Sequence, residues 1–359
     1  MKKIVSKFSR ELGIFVTLLL IMGLFGSLNP LYLTPRNILD IVDQTVINGL
    51  LAIGMTLVII TGGIDLSVGS SMAIVMVVVG KILGAGINIY VASLLGILIG
   101  AGLGFINGFM VAKMKLQPFI ATMGTSSVYR GIAYLITGGW PVLNIPQNFR
   151  NLFDGKIIGN ISSSVIIFIS VMVITSIILK NTKLGTYLYS TGNNEEATRL
   201  SGVNVDKTKI LAYVICGICV ALTAMVTIAK LGTGEPAAGQ GYETNAIAAT
   251  AVGGTSLAGG IGSILGAFLG SILLQALKVG LVVLGVDTFW QYIATGLIII
   301  VAVYFDIIKN KVKFNKIFFK KNKSKEEKMM DSNIKKIKNN NHEDEIKKNK
   351  KNTEEDSNV

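Results

Sequence analysis

Long apolar runs recur along almost the whole chain, and no other feature restricts its fold so severely. A helix satisfies its own backbone groups in hydrocarbon, and about 20 mostly apolar residues are needed to cross roughly 30 Å of it. Stretches near 12–28, 44–61, 66–85, 88–112, 118–138, 160–179, 210–230, 244–258, 261–284 and 288–305 fit that rule, the fifth and eighth being rich in Ser, Thr and Gly. Composition agrees. Hydrophobic residues make up 51% of the chain, charged residues 15%, and the mean hydropathy is +0.59, outside the usual range of a soluble domain. The expectation is an all-α polytopic membrane protein of about ten transmembrane helices.

Positive loops stay cytoplasmic, and the basic residues cluster accordingly. Lys2, Lys3, Lys7 and Arg10 precede the first run, Lys113 and Lys115 follow the fourth, and Lys180, Lys183, Arg199, Lys207 and Lys209 separate the sixth from the seventh. With ten spans these groups share one side, whereas 231–243 carries Glu235 and Glu243 without Lys or Arg and falls on the other. Both termini are predicted to be cytoplasmic. The first run begins like a signal peptide, but no small-x-small cleavage site follows "GLFGSLNPLYL", so it is read as a retained anchor.

The chain divides at about residue 308 into a transmembrane domain, 1–308, and a tail, 309–359. The tail holds 16 Lys against 9 Asp plus Glu, a net +7 of the overall +13, and its Lys/Asn/Glu composition cannot build a core, so disorder is expected. Its proximal part, "KNKVKFNKIFFKKNKSK", suits an anionic cytoplasmic leaflet or, equally, a solvated positive-inside segment. No recognition fold accompanies the basicity, so nucleic acid is excluded as a partner.

Several enzyme signatures fail on inspection. Cys216 and Cys219 have redox or metal spacing but lie inside the apolar run "AYVICGICVALTAM", where small packing residues are the better reading. The one histidine, His342, lies in the tail. No G-x-x-x-x-G-K-[ST] occurs, so the chain has no loop of its own for ATP, and no metal or cofactor site can be assembled.

The glycines carry information. Gly96, Gly100, Gly104 and Gly108 recur every four residues, as do Gly262, Gly266 and Gly270, so each set lines one face and admits a neighbouring backbone. "GGIDLSVG" at 62–69 and "GGTSLAGG" at 253–260 share G-G-x-x-L-x-x-G, the mark of an internal duplication or of chance in a Gly-rich chain. Asp65 lies in the first copy. A charge at membrane depth costs about 2.5–3.5 kcal/mol on insertion scales. Asp65 has two compatible roles: capping the third span by accepting from the N–H groups of residues 67 and 68, or lining a polar pathway with Ser67 and Ser70 at a broken helix. Asn107, Thr122 and Thr125 join the pathway candidates because small polar groups within spans either face a cavity or pair across helices.

"STGNNEEATRLSGV", 190–203, is polar between two apolar runs. Asn193 is placed as N-cap, with Glu196 three residues later as in a capping box and Glu195 and Glu196 at the positive helix end. Arg199 lies near the other end and Gly202 supplies the left-handed stop. A helix of about eight residues, 194–201, is marginal alone in water. Ala197 and Leu200 share a face for docking. A plug for a partner's groove and an ordinary capped loop helix fit the residues equally.

"LGTYLYSTGNNEEATRLSGVNVDKTKI", "GYETNAIAATAVGGTSLAGGIGSILGAFLG", "ITGGIDLSVGSSMAI" and "GFINGFMVAKMKLQPFIATMGTSSVYRGIAYLITGG" resemble the permease subunits of ABC-type monosaccharide importers, the ribose, xylose, galactose and autoinducer-2 group, with the ribose branch nearest. The resemblance runs in order from about residue 10 to 308. It implies a multi-pass protein of the bacterial plasma membrane that pairs with a second permease, identical or paralogous. Two separate ABC ATPases that hold ATP and Mg would dock below, and an extracytoplasmic sugar-binding protein would deliver the monosaccharide. The family's ATPase-coupling helix corresponds to Asn193, Asn194, Glu195, Glu196, Ala197, Arg199, Leu200 and Gly202, within a coupling loop over 180–209. Asn245 stands where relatives often have Asp, and Ile261 where they often have a basic residue. An ion-coupled carrier acting alone is the alternative; it requires buried ionisable groups, of which Asp65 is the one strong candidate.

Overall fold

A computed structural model describes residues 2–287 and scattered positions from 289 to 304; the 309–359 tail and parts of the expected 288–305 span lie outside the described residues. The described residues are helical almost throughout, and six of the described helices are long and apolar enough to cross a membrane by length and composition. They are α1 (its apolar part Glu11–Leu28), α2 (Pro35–Ile60), α4 (Ile89–Ala112), α7 (Ser163–Asn181), α10 (Val205–Leu231) and α12 (Ile264–Val283). α3 (Val68–Gly84) is apolar but shorter, and α5 (Pro118–Thr137) is the Ser/Thr/Gly-rich helix. The expected 244–258 span is α11 (Tyr242–Val252), only 11 residues, or about 16 Å at 1.5 Å per residue.

α2 is the central helix. It starts at Pro35, where proline's missing N–H costs nothing, and from Leu50 to Ile60 every residue is buried. A helix apolar all round must be enclosed, and α10, α11, α12 and α7 surround α2. Its hydroxyls are satisfied locally: Thr45 donates to Ile41 O at 2.7 Å and Thr56 to Ala52 O at 2.6 Å. Apolar side chains face outward on the peripheral helices, among them Leu20 and Leu24 of α1, Leu94 and Leu98 of α4, and Ile174 and Ile177 of α7, as a lipid-facing surface requires.

The first glycine series does what its spacing predicts. Gly96, Gly100, Gly104 and Gly108 face α10 in antiparallel order: a Cβ on Gly108 would stand 2.9 Å from Ile210 Cα, Gly104 abuts Tyr213 O, and Gly100 and Gly217 abut each other's carbonyls. Gly266 and Gly270 similarly admit the carbonyls of Gly253 and Ala249, so α12 lies backbone to backbone on α11. Cys216 and Cys219 are free, buried and packed against Gly54 of α2.

The two glycine motifs occupy equivalent places. Residues 61–67 join α2 to α3, and 253–263 join α11 to α12. The loops touch: Gly260 N donates to Ile60 O at 2.9 Å, and Gly62 and Gly259 meet with φ of +81° and +86°, a region that glycine enters without strain.

Between α10 and α11 the chain is non-helical and descends beside α3. Gly234 packs on Met76 O and forms a bridge with Val142, and Gly239 packs on Gly69. α11 therefore begins inside the bundle. At the end remote from the 253–263 loop, a cap absent from the sequence-based expectations is built from α6 (Gln147–Asp154) and a two-stranded hairpin, β1 (Lys156–Ile158) and β2 (Ile161–Ser162).

Candidate functional site

Two constellations lie near one end of the bundle. The first is a buried polar knot that contains all six membrane residues singled out from the sequence. Asp65 Oδ1 accepts from Ser67 N at 2.9 Å and from Ser67 Oγ at 2.7 Å. Asn107 Nδ2, on α4, donates to Ser67 Oγ at 2.7 Å and to both Asp65 oxygens at 3.3 Å. Asn107 Oδ1 accepts from Thr125 at 2.9 Å and from the Tyr129 hydroxyl at 3.4 Å. Thr122 accepts from Leu66 N at 3.1 Å, and Ser70 donates to Ser67 O at 2.9 Å.

The local sequence explains the geometry. The 61–67 loop cannot be helical through Gly62, so Asp65 is free to turn back on Ser67, while the α4 glycine face draws α4 close to α10 and sets Asn107 opposite. Asp65 is 3% exposed and the other five are buried as well. The knot therefore ties α3, α4 and α5 together. Asn107 lies six residues before Lys113, the cap of α4, about 9 Å from that helix end.

The second constellation is the polar segment after α7. It contains two helices, α8 (Lys183–Asn193) and α9 (Glu195–Leu200). The N-cap expected at Asn193 falls one residue later. Asn193 closes α8, and extended Asn194 accepts from Ala197 N at 2.9 Å. Glu196 is consequently not three residues beyond the cap, and the capping box is not formed. The stop is where the sequence puts it, with Gly202 at φ +81° and Val203 N donating to Thr198 O at 3.4 Å, the long backbone bond of a glycine-terminated helix.

Charge pairs fix α9 in place. Glu195 binds Arg199 at 3.2 Å and Lys209 at 2.5 Å, and Asp206 binds Arg199 at 3.1 Å, Lys115 at 3.0 Å and Lys113 at 3.3 Å. Burial raises the Glu195 carboxyl, but the hydrogen bond and charge of Lys209, with help from Arg199, outweigh it and hold the group below its ordinary range. Thr198 faces inward, whereas Glu196, Ala197 and Leu200 are exposed, Leu200 to 84%. An apolar side chain so bare on a charged face offers an anchor to a partner.

α8 links the two constellations. Tyr189 donates to Gly262 O at 2.8 Å, Asn193 Nδ2 reaches Gly260 O at 3.4 Å, and Gly192 abuts Ile60 O. The base of α9 thus rests on both glycine loops, five residues from Asp65. At the opposite end of the bundle a charge cluster escaped the sequence reading. Lys230, in the last turn of α10, pairs with Asp43 and, at 3.1 Å, with Asp154, and Ser162 donates to Asp43 at 2.6 Å. These residues are far apart in sequence, and only the α6 cap brings them together. Among the described residues, no group of three or more His, Cys, Asp or Glu side chains could hold a metal ion.

Comparison with known proteins adds a family. A family described as "Branched-chain amino acid transport system / permease component" matches residues 37–303. The chain is similar to the ribose import permease protein RbsC of Escherichia coli K12, 40% identical over 81% of this chain and 92% of that protein. It is also similar to the ribose import permease protein RbsC of Bacillus subtilis 168, 40% identical over 83% and 92% of the two chains. The D-allose transport system permease protein AlsC of Escherichia coli K12 is 37% identical over 82% and 90%. No solved structure matches. With the match covering well over half of a chain built from membrane-length helices, the protein belongs to this family of transport-system permease components.

Proposed function

We propose that the chain is the membrane permease subunit of an ATP-driven importer of a monosaccharide, ribose or a sugar like it. The observation that carries this reading is similarity at 40% identity, over nine-tenths of their length, to proteins named as ribose import permeases. The chain acts in a complex with a second permease, two ABC ATPases that bind ATP and Mg, and an extracytoplasmic sugar-binding protein. Chemistry belongs to the ATPases. This subunit supplies a path and a handle.

α9 is the handle. Its exposed Leu200, Ala197 and Glu196 enter a groove on the ATPase, and its charge pairs to α10 make it move with the bundle. ATP-driven displacement reaches the glycine loops through Gly192 and Tyr189, and those loops are free to rearrange about left-handed glycines. The knot around Asp65 lies at the end of that route, where separating α3, α4 and α5 would open the path. The α9 end of the bundle is cytoplasmic and the α6 end extracytoplasmic, in keeping with the lysine distribution.

The family's description names branched-chain amino acids, so the test compares substrates. Liposomes containing the chain with its cognate ATPase and binding protein are expected to take up labelled ribose or allose with ATP inside, and not leucine. The chain alone under an ion gradient is expected to transport nothing. Leucine uptake would replace the substrate assignment, and gradient-driven sugar uptake without ATPase would replace the mechanism with an ion-coupled one.

A further inference from the structure

A third polar group lies midway along the bundle, and neither constellation above uses it. Gln275 Nε2 of α12 donates to Gln44 Oε1 of α2 at 2.8 Å. Lys278, three residues further along α12, reaches Asn245 Oδ1 of α11 at 3.5 Å. Asn48, one turn beyond Gln44 on α2, has its carboxamide oxygen buried without a hydrogen-bond partner.

These residues have a common depth. Ala52 of α2, Ala248 and Ala249 of α11, and Ala267 and Leu274 of α12 form one buried apolar cluster. On each helix the polar residue lies about one turn from that cluster, and on the same side of it: Asn48 before Ala52, Asn245 before Ala248, and Lys278 after Leu274. α2 runs toward the α9 end, α11 runs the same way after the 232–241 descent, and α12 returns. All three polar positions therefore face away from α9, above a seal that the close α11–α12 glycine contact continues.

The group is too polar for lipid. Asn48 is 13 residues into α2, about 20 Å from its start, and Gln44 is exposed on the same helix. Lys278 is half-buried, and among the described residues no carboxylate lies within 4.0 Å of it. Ionisable and amide groups at such depth face a partner or a water-filled path, and non-helical backbone such as 232–241 persists in membranes where it lines a cavity or is covered by protein. The chemistry is specific. Four amides and an ammonium offer several donors and acceptors, a set that matches the many hydroxyl oxygens of a neutral polyol.

We propose that Asn48, Asn245 and Lys278, supported by the Gln44–Gln275 pair, form a subsite for sugar hydroxyls in the translocation path, on the extracytoplasmic side of the alanine seal. This rests on the sugar-permease reading above. It separates two tasks: these residues hold the passing sugar, while the Asp65 knot closes the cytoplasmic side.

The test uses the whole reconstituted transporter and labelled ribose. If the wild-type complex takes up no sugar, the proposed function fails before the subsite is addressed. Given wild-type uptake, Lys278→Leu and Asn48→Ala are expected to lower it about tenfold or more, the loss of a hydrogen bond to a charged or buried group. Lys278→Gln, which keeps a donor, is expected to recover part of it. Removing an intramembrane charge does not impede insertion, and co-purification of the ATPase will show that each complex assembles. A purely structural role would leave selectivity alone, so the ratio of ribose to 2-deoxyribose uptake is measured too, and it should shift in the Lys278 variants. In addition, excess ribose should slow labelling of Asn245→Cys by a membrane-impermeant maleimide. Uptake within about twofold of wild type, an unchanged sugar ratio and labelling indifferent to ribose would overturn the subsite and leave Lys278 as a lysine reaching for the membrane surface.

Discussion

Asn107 shows how one side chain can organise a membrane site. Its amide is oriented by its neighbours: the oxygen receives Thr125 and Tyr129, so the nitrogen must face Asp65 and Ser67. If Asn107 is replaced by Ala, Thr125 keeps the carbonyl of Thr122 and Tyr129 keeps that of Leu103, but the buried Asp65 carboxyl is left with Ser67 alone. The expected loss is about 1.5–3 kcal/mol, the worth of a hydrogen bond to a charged group. Asp65→Asn in the Asn107→Ala background should recover part of it, because a neutral amide tolerates a missing donor better. Thermal unfolding of the four proteins of this double-mutant cycle in detergent measures the coupling; additive losses would mean that the pair does not act as a unit. Asp65 and Asn107 were legible in the sequence because carboxylates and carboxamides within apolar runs are few, whereas Tyr129 carried no such signal. The pairing of Lys278 with Asn245 is not legible there, since nothing in the one-dimensional pattern says that α11 is short, which is what sets Asn245 beside α12.

At the scale of elements, α9 was visible in its signals and displaced by one residue in its cap. Two asparagines stand in a row and either could cap. Asn194 does so because α8 runs through Asn193, and α8 itself is hidden in the sequence by poor helix formers such as Gly185, Thr186, Ser190, Thr191 and Gly192. The displacement changes which glutamate matters for what. Glu195 carries the ion pairs to Arg199 and Lys209, so Glu195→Lys should place a cation beside two others and loosen α9, seen as faster amide hydrogen exchange over residues 195–201. Glu196 is exposed and makes no ion pair among the described residues, so Glu196→Lys, which only opposes the positive helix end, should raise that exchange far less than Glu195→Lys and still reduce co-purification of the ATPase. Exchange that rises in Glu196→Lys and stays constant in Glu195→Lys would restore the capping box and refute the assigned cap.

For the whole molecule, the apolar runs foretold a polytopic helical protein because hydrocarbon leaves a chain so few alternatives, and the periodic glycines foretold that a neighbouring backbone would lie close to α4, though not that it would be α10. The α6 cap was not legible: "QNFRNLFD" is a short amphipathic stretch between spans, and its attachment depends on Lys230 meeting Asp43 and Asp154 from three separate elements. That cap and α9 mark opposite ends of the bundle, since α2 has Asp43 toward its start and Ile60 at its end, and α10 has Asp206 at its start and Lys230 at its end. Sidedness is therefore testable with one cysteine at each end. Asn160, in the hairpin, and Ser201, at the close of α9, are both exposed, and the native Cys216 and Cys219 are buried and should stay unreactive in intact protein. In whole cells, Asn160→Cys should react with a membrane-impermeant maleimide, and Ser201→Cys should react only after the membrane is opened. The reverse pattern would put α9 outside, where no ATPase could reach it, and the transport mechanism proposed for this chain would fall with its orientation.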